Sequence, residues 1–357
     1  MKKEKYMAIP PGAIMPGILP KFEIFVLSTD GTYILWAQEG NKVTQEQLAK
    51  LSEGGFREVF VKMEDHFKYE KYLEDNLANI LVNQWSSDDH KTAIFSKVST
   101  NVVKTAVESS LGLGTMGAEV MQQTIRMVRN ALIFIMEADS IRALAKMIGH
   151  DYQTYEHATK VLWFTVAFLR NNPDILKLIQ PSYEESDKKQ MIEILGQCGV
   201  GALLHDIGKA FISPEILNKP GPLTDVEWEI VKRHPFSGMA MLLDTEIPAF
   251  AKKAVLHHHE NFYGGGYPMG IAGQNINILA RVLRIVDTFD AMTSRRPYKD
   301  PIRPGEAVQI MAGMPSADKV KNGLSQADYR DHDMKRCFDE KLLRRFVLFL
   351  GNYDLSR

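Results

Sequence analysis

Five histidines and two aspartates stand at spacings that suit one divalent-metal site. The stretch Gly201-Ala-Leu-Leu-His-Asp-Ile-Gly-Lys209 ends an apolar helical run in His205, Asp206 and Lys209. His157 lies 48 residues before His205, and His234 lies 29 after it. His258, His259 and Asp287 complete the series. Neutral imidazoles and carboxylates are ligands for borderline divalent ions such as Fe, Mn, Zn or Ni.

Taken singly, any of these histidines is more often structural than a ligand, so the case rests on the series. Consecutive helix positions point roughly 100° apart and do not share a face. His205 and Asp206 therefore straddle a centre in which the aspartate bridges two ions and the histidine binds one. His258 and His259 face the same constraint, one helix further on. Two ions with about six positions each offer about twelve. Six go to His157, His205, His234, His258, His259 and Asp287, and a bridging Asp206 and a bridging water take two each. The remainder suits the oxygens of a substrate phosphate, as two-metal phosphoester hydrolysis needs. His257 extends the run to three but points away from its neighbours. His66, His90, His150 and His332 are left out, and Cys198 reads as a small buried apolar residue.

The elements that position these residues follow from patterning. Phe22 to Leu27 and Tyr33 to Ala37 read as strands around the hairpin signal Asp30-Gly31. Thr44-x-x-Gln47 is a capping box opening a short helix, and Glu58 to Lys62 is a third strand. A helical region starts near residue 66. Between Thr92 and Met136 apolar residues recur at helical spacing, broken by Gly112-Leu-Gly114 into two helices. From about residue 141 the pattern is helix and loop, with no alternation of strands and helices that would build a parallel sheet. The expected architecture is mainly α. It comprises a small α+β domain over 1–88, a helical linker over 89–140, and an all-helical bundle over 141–357 that carries the chemistry.

The 357 residues carry a formal net charge of −1, so no global field points to nucleic acid or an anionic membrane. Two cysteines, Cys198 and Cys337, offer no disulfide framework, and a reducing cytoplasmic compartment is the simplest reading. Prolines 10, 11, 16 and 20 interrupt the N-terminal apolar part, which is no signal-peptide core. No uninterrupted apolar run reaches membrane-spanning length.

The motifs His205-Asp-Ile-Gly-Lys209, Ile216-Leu-Asn-Lys-Pro-Gly221, His258-His-Glu260, Gly266-Tyr-Pro268 and Asp287-Thr-Phe-Asp-Ala-Met-Thr-Ser-Arg-Arg-Pro-Tyr-Lys299 resemble the HD-GYP family. That family is a branch of the HD-domain metal phosphohydrolases whose members hydrolyse cyclic di-GMP. The resemblance covers roughly residues 141–350 and implies an all-helical HD bundle. The region before it looks like the small N-terminal domain often found in front of such modules. The resemblance supports the seven ligands named above and implies two divalent ions, iron first and manganese next. It puts Lys209 by the scissile phosphate, where an ammonium stabilises charge or protonates the leaving oxygen. Tyr267 belongs to the substrate loop, and Arg296 and Lys299 would hold phosphate groups, the arginine by its bidentate fork. Arg284 reads as part of a solvated helix face, and Asn218 to Pro222 as a loop shaping the rim.

Two positions depart from the family pattern. Tyr263 replaces the usual aspartate before the glycines, and Gln153 replaces a glutamate that binds a third ion in some relatives. A neutral amide predicts two ions rather than three. The implied activity is conversion of cyclic di-GMP to the linear dinucleotide and onward to GMP. The alternative is a catalytically weak module that binds cyclic di-GMP or protein partners in signalling.

Overall fold

The computed structural model describes residues 5–84, 86–111, 114–136, 154–294, 300–314 and 334–353. Packing divides the chain into two units, Met1–Val98 and Ser99–Arg357.

In the first unit, strands β1 (Tyr6–Ile9), β2 (Ile24–Leu27), β3 (Tyr33–Ala37) and β4 (Val59–Lys62) form an antiparallel sheet ordered β1-β4-β2-β3. Helices α1 (Gln45–Glu53), α2 (His66–Asp75) and α3 (Leu77–Val82) complete it. The hairpin signal is realised: Gly31 takes φ 82°, and the amide of Thr32 donates to Asp30 Oδ1 at 3.0 Å. The capping box also forms, with the Gln47 amide on Thr44 Oγ1 at 3.2 Å and the Thr44 amide on Gln47 Oε1 at 2.8 Å. Phe22, fully buried, meets the rings of Tyr69 and Tyr72 edge-on. Strand β1 has no counterpart in the sequence reading. It is four residues long, lies at the sheet edge and runs into Pro10-Pro11, where period-2 alternation has no room to show.

Helix α4 (Asp88–Leu111) spans the division, and α5 (Ala118–Ile135) follows it; Gly114, at φ 70°, lies in the expected break. The second unit continues with α6 (Thr154–Arg170), α7 (Pro173–Ile179) and α8 (Lys188–Leu203). After a 3₁₀ turn over Ile207–Phe211 come α9 (Pro214–Leu217), α10 (Asp225–Val231), α11 (His234–Leu242), α12 (Ala249–His257), α13 (Ile278–Thr293), α14 (Pro304–Met311) and α15 (Glu340–Asn352). No strand lies in this unit among the described residues, as the all-helical reading expects.

Helix α6 is the centre of the bundle. Val161, Leu162, Trp163, Phe164, Val166 and Phe168 are all buried, so apolar residues surround its axis. It packs against α8 and α13, the helices that deliver His205, Asp206 and Asp287. Among the described residues no helix is long and apolar enough to cross a membrane.

Candidate metal centre

His205 and Asp206 lie just past the end of α8, and His258 and His259 just past the end of α12. The expectation that each pair continues a helix is therefore corrected: both sit where the helix has ended. The physical reason is the set of carbonyls orphaned at a helix C-terminus. The Nδ1–H of His205 donates to Ala202 O, that of His258 to Val255 O, and that of His234 to Val231 O at the end of α10, each at 2.7 Å. One hydrogen bond thus satisfies a carbonyl, fixes the ring and leaves Nε2 as a lone-pair donor aimed into the cluster.

Gly208 makes this assembly compact. A Cβ there would stand 2.0 Å from His234 O and 2.4 Å from Gly238 N, so the 3₁₀ turn rests directly on the start of α11. Gly266 does the same for the loop after α12. Its Cβ would meet Asn261 N at 2.2 Å, so the Gly-Tyr-Pro segment folds back on Glu260 and Asn261.

The structure brings all seven sequence-named ligands together, in two groups. Asp206, His234, His258 and His259 form one, and His157, His205 and Asp287 the other, each with ligand atoms within 4.8 Å of one another. Asp206 faces both. Its Oδ1 lies 3.2 Å from His234 Nε2 and 3.7 Å from His258 Nε2, while its Oδ2 lies 3.4 Å from His205 Nε2 and 3.9 Å from His157 Nε2. His157 Nε2 is also 3.1 Å from Asp287 Oδ1.

The donor set fits divalent cations. His234 Nε2 and His258 Nε2 stand 3.2 Å apart, although both rings already spend their Nδ1–H on a carbonyl. Two lone pairs at that distance repel unless a cation lies between them. His205 Nε2 and Asp206 Oδ1 are buried with no hydrogen-bond partner among the described residues, a costly arrangement for protein atoms alone.

Electrostatics set the protonation that cations require. Burial alone would raise the Asp206 pKa, but the Lys209 ammonium, with the His205 and His234 rings after it, outweighs burial and holds the carboxyl well below its ordinary range. Asp287 behaves likewise: burial raises it, and His157 followed by the neighbouring histidines brings it well down. Burial lowers His258 to about 4 and pushes His259 well below the usual imidazole range. The carboxylates are anionic and these two imidazoles neutral, the forms that bind metal.

Around the cluster, Lys209 puts Nζ 2.5 Å from Asp206 Oδ2. Tyr267 stacks on His259, with centroids 4.7 Å apart, and meets Trp228 edge-on. Its phenol pKa is raised by burial. Tyr263 is exposed, and its amide donates to Arg336 O at 3.0 Å. In the rim loop, Lys219 pairs with Glu227 at 2.6 Å. Arg296, Lys299 and Gln153 lie outside the described residues.

His257 points away as expected, its Nδ1 accepting the Asn277 amide at 3.2 Å. Arg284 departs from the solvated-face reading. It is partly buried, reaches Asn261 Oδ1 at 3.1 Å and lies over the Phe338 ring, because α13 is covered on that side. The sequence reading also missed three contributors. Glu260 is buried and accepts the amides of Met269 and Gly270 at 2.6 and 3.0 Å, anchoring the loop. Asp290 Oδ2 lies 2.7 Å from His157 Nδ1, and Lys160 stands behind it. Their signal was helical spacing: Asp290 is three residues after Asp287, and Lys160 three after His157.

Residues 193–319 match the family model described as HD domain. That segment of the chain carries an HD domain. The cyclic di-GMP phosphodiesterase PA4108 of Pseudomonas aeruginosa is 35% identical over 61% of this chain and 44% of its own length. The 3'3'-cGAMP-specific phosphodiesterase 2 of Vibrio cholerae is 41% identical over 28% of this chain and 19% of its own. The chain therefore spans less than half the length of these curated relatives. Bd1817, a HDG"Y"P protein from Bdellovibrio bacteriovorus, shares the fold of this chain with a TM-score of 0.58 at 17% identity, over 97% of this chain and all of its own.

Proposed function

We propose that the chain is an HD-GYP two-metal phosphodiesterase that opens cyclic di-GMP to the linear dinucleotide and carries it on to GMP. The observation that carries this reading is the division of Asp206, one oxygen toward each group of ligand atoms. His157, His205 and Asp287 would hold one ion, and His234, His258 and His259 the other, with Asp206 common to both. Iron is the first candidate and manganese the second, since imidazole and carboxylate donors suit both. Such ions supply a nucleophile at neutral pH and positive charge against the phosphoryl oxygens.

The chain's own residues do the rest. Lys209 stands beside Asp206 Oδ2 with its ammonium at the mouth of the cluster, where it stabilises charge on the phosphoryl group or protonates the leaving oxygen. Tyr267, stacked on His259, would line the substrate side of the cluster. Arg296 and Lys299 would bind phosphate oxygens. The protein would act in the cytoplasm with signalling partners, through a small domain up to residue 88, a helical linker up to residue 140 and the phosphohydrolase domain beyond it.

The test is hydrolysis by protein purified under reducing conditions and loaded with Fe²⁺ or Mn²⁺. Cyclic di-GMP, 3'3'-cGAMP and the linear dinucleotide are offered in parallel, and products are resolved by chromatography. Turnover of cyclic di-GMP ahead of 3'3'-cGAMP supports the reading. The reverse preference refutes the substrate, and no turnover with metal fully loaded points to the binding module.

A further inference from the structure

Lys160 lies in the central helix among apolar neighbours and is 1% exposed. Lysine is almost never buried unless paired, because desolvating an ammonium is costly. Its Nζ reaches Ser294 Oγ at 3.0 Å and stands 4.0 Å from Asp290 Oδ1. Ser294 Oγ is in turn 3.2 Å from that same oxygen. Asp290 is fully buried, and its other oxygen, Oδ2, is the one 2.7 Å from His157 Nδ1.

The carboxylate is thus used on both sides, by a lysine–serine pair on one oxygen and an imidazole on the other. The geometry follows from two packed helices. His157 and Lys160 sit three apart on one face of α6, while Asp290 lies in the last turn of α13 and Ser294 is the residue that caps it, its amide on Asp290 O. His205, His234 and His258 hang their rings on main-chain carbonyls. His157 instead hangs on a buried side-chain carboxylate, whose position depends on a buried counter-charge.

Building on the metal reading above, we infer that Lys160 is a positioning residue for one of the two ion positions. It holds Asp290, Asp290 holds His157 Nδ1–H, and His157 Nε2 is thereby aimed at Asp287 and its group. Among the described residues, the Asp206–His234–His258–His259 group shows no histidine held on a buried carboxylate, so the dependence is one-sided. Lys160 acts on the His157–His205–Asp287 position without being a ligand. Loss of an outer partner of a metal-bound histidine weakens metal binding roughly ten- to a hundredfold.

The test uses the full chain stripped of metal and titrated with Mn²⁺, by calorimetry and elemental analysis. Wild type should take two ions. Lys160→Met, close in shape and without charge, should keep one site at wild-type affinity and weaken the other at least tenfold. Lys160→Arg should recover part of the loss. Asp290→Asn should reproduce the one-sided loss, and Lys160→Met added to it should cost little more. Thermal melting of each variant reports folding, and if Lys160→Met fails to fold, Asp290→Asn and Lys160→Arg decide. Two ions bound at wild-type affinity by folded variants would overturn the inference, as would equal weakening of both sites, which is what a general packing defect predicts. A wild type that takes no ion would overturn the metal reading itself, and this inference with it.

Discussion

Lys209 Nζ stands 2.5 Å from Asp206 Oδ2, the oxygen that also faces His205 and His157. The ammonium neutralises a carboxylate aimed at two groups of ligand atoms, and it is the more open of the two partners, with 22% of its side chain exposed against 8%. Cations at the cluster would take over the charge on Asp206 and leave the ammonium to a substrate phosphate. Lys209→Met should therefore keep its metal and lose turnover by about 10²–10⁴-fold, the usual contribution of a positioned proton donor. Elemental analysis paired with kcat checks both halves. Loss of metal in this variant would mean that Lys209 only holds Asp206.

Arg296 and Lys299 are assigned to phosphate through the motif that follows Asp287. Replacing each with alanine should leave metal content unchanged and weaken cyclic di-GMP binding. A charge-assisted hydrogen bond contributes about 1.5–3 kcal/mol, or roughly ten- to a hundredfold in Kd. An unchanged Kd for both variants would refute the assignment.

Gly208 leaves no room for a side chain, since a Cβ would overlap the main chain of His234 and Gly238. Gly208→Ala must push the 3₁₀ turn away from α11, which separates Asp206 from His234. The cost should be at least about 1–3 kcal/mol, as for other overpacked sites, with a fall in metal affinity. A variant with wild-type melting and metal binding would show that the close approach is dispensable.

Glu227 closes the capping box of α10, the helix that leads into His234. Lys219 chiefly, then the Thr224 amide, lower its pKa to about 2 from an ordinary 4.5. A depressed carboxylate contributes stability that is full above about 4.5 and is lost as pH falls toward 2. Glu227→Gln should therefore lower the melting temperature at pH 7, and the gap to wild type should shrink on acidification below 4.5. A gap that stays constant from pH 7 to 3 would contradict this account of the cap.

The legible part of the site was residue type and spacing. His157, His205, Asp206, His234, His258, His259 and Asp287 were all named from the chain, and all meet. What the sequence concealed was how they are held. The His-Asp and His-His pairs read as helical continuations because apolar periodicity runs up to them, whereas carbonyl–imidazole bonds belong to the helix end. Lys160 and Asp290 drew no role from the chain, since their pairing crosses 130 residues of it. Arg284 was misread because polarity suggests solvent, while a ring from another segment covers it. The first unit was legible through its turn chemistry at Asp30-Gly31 and Thr44, and β1 was not, being too short to show a period.

The central claim is that Asp206 is common to two ions. Asp206→Ala and His157→Ala should be purified without chelating resin and compared with wild type by elemental analysis and anomalous scattering. The account predicts two ions in wild type, loss or poor occupancy of both in Asp206→Ala, and loss chiefly of one in His157→Ala. Full content of two ions in Asp206→Ala, or three well-occupied ions in the unmodified protein, would contradict it.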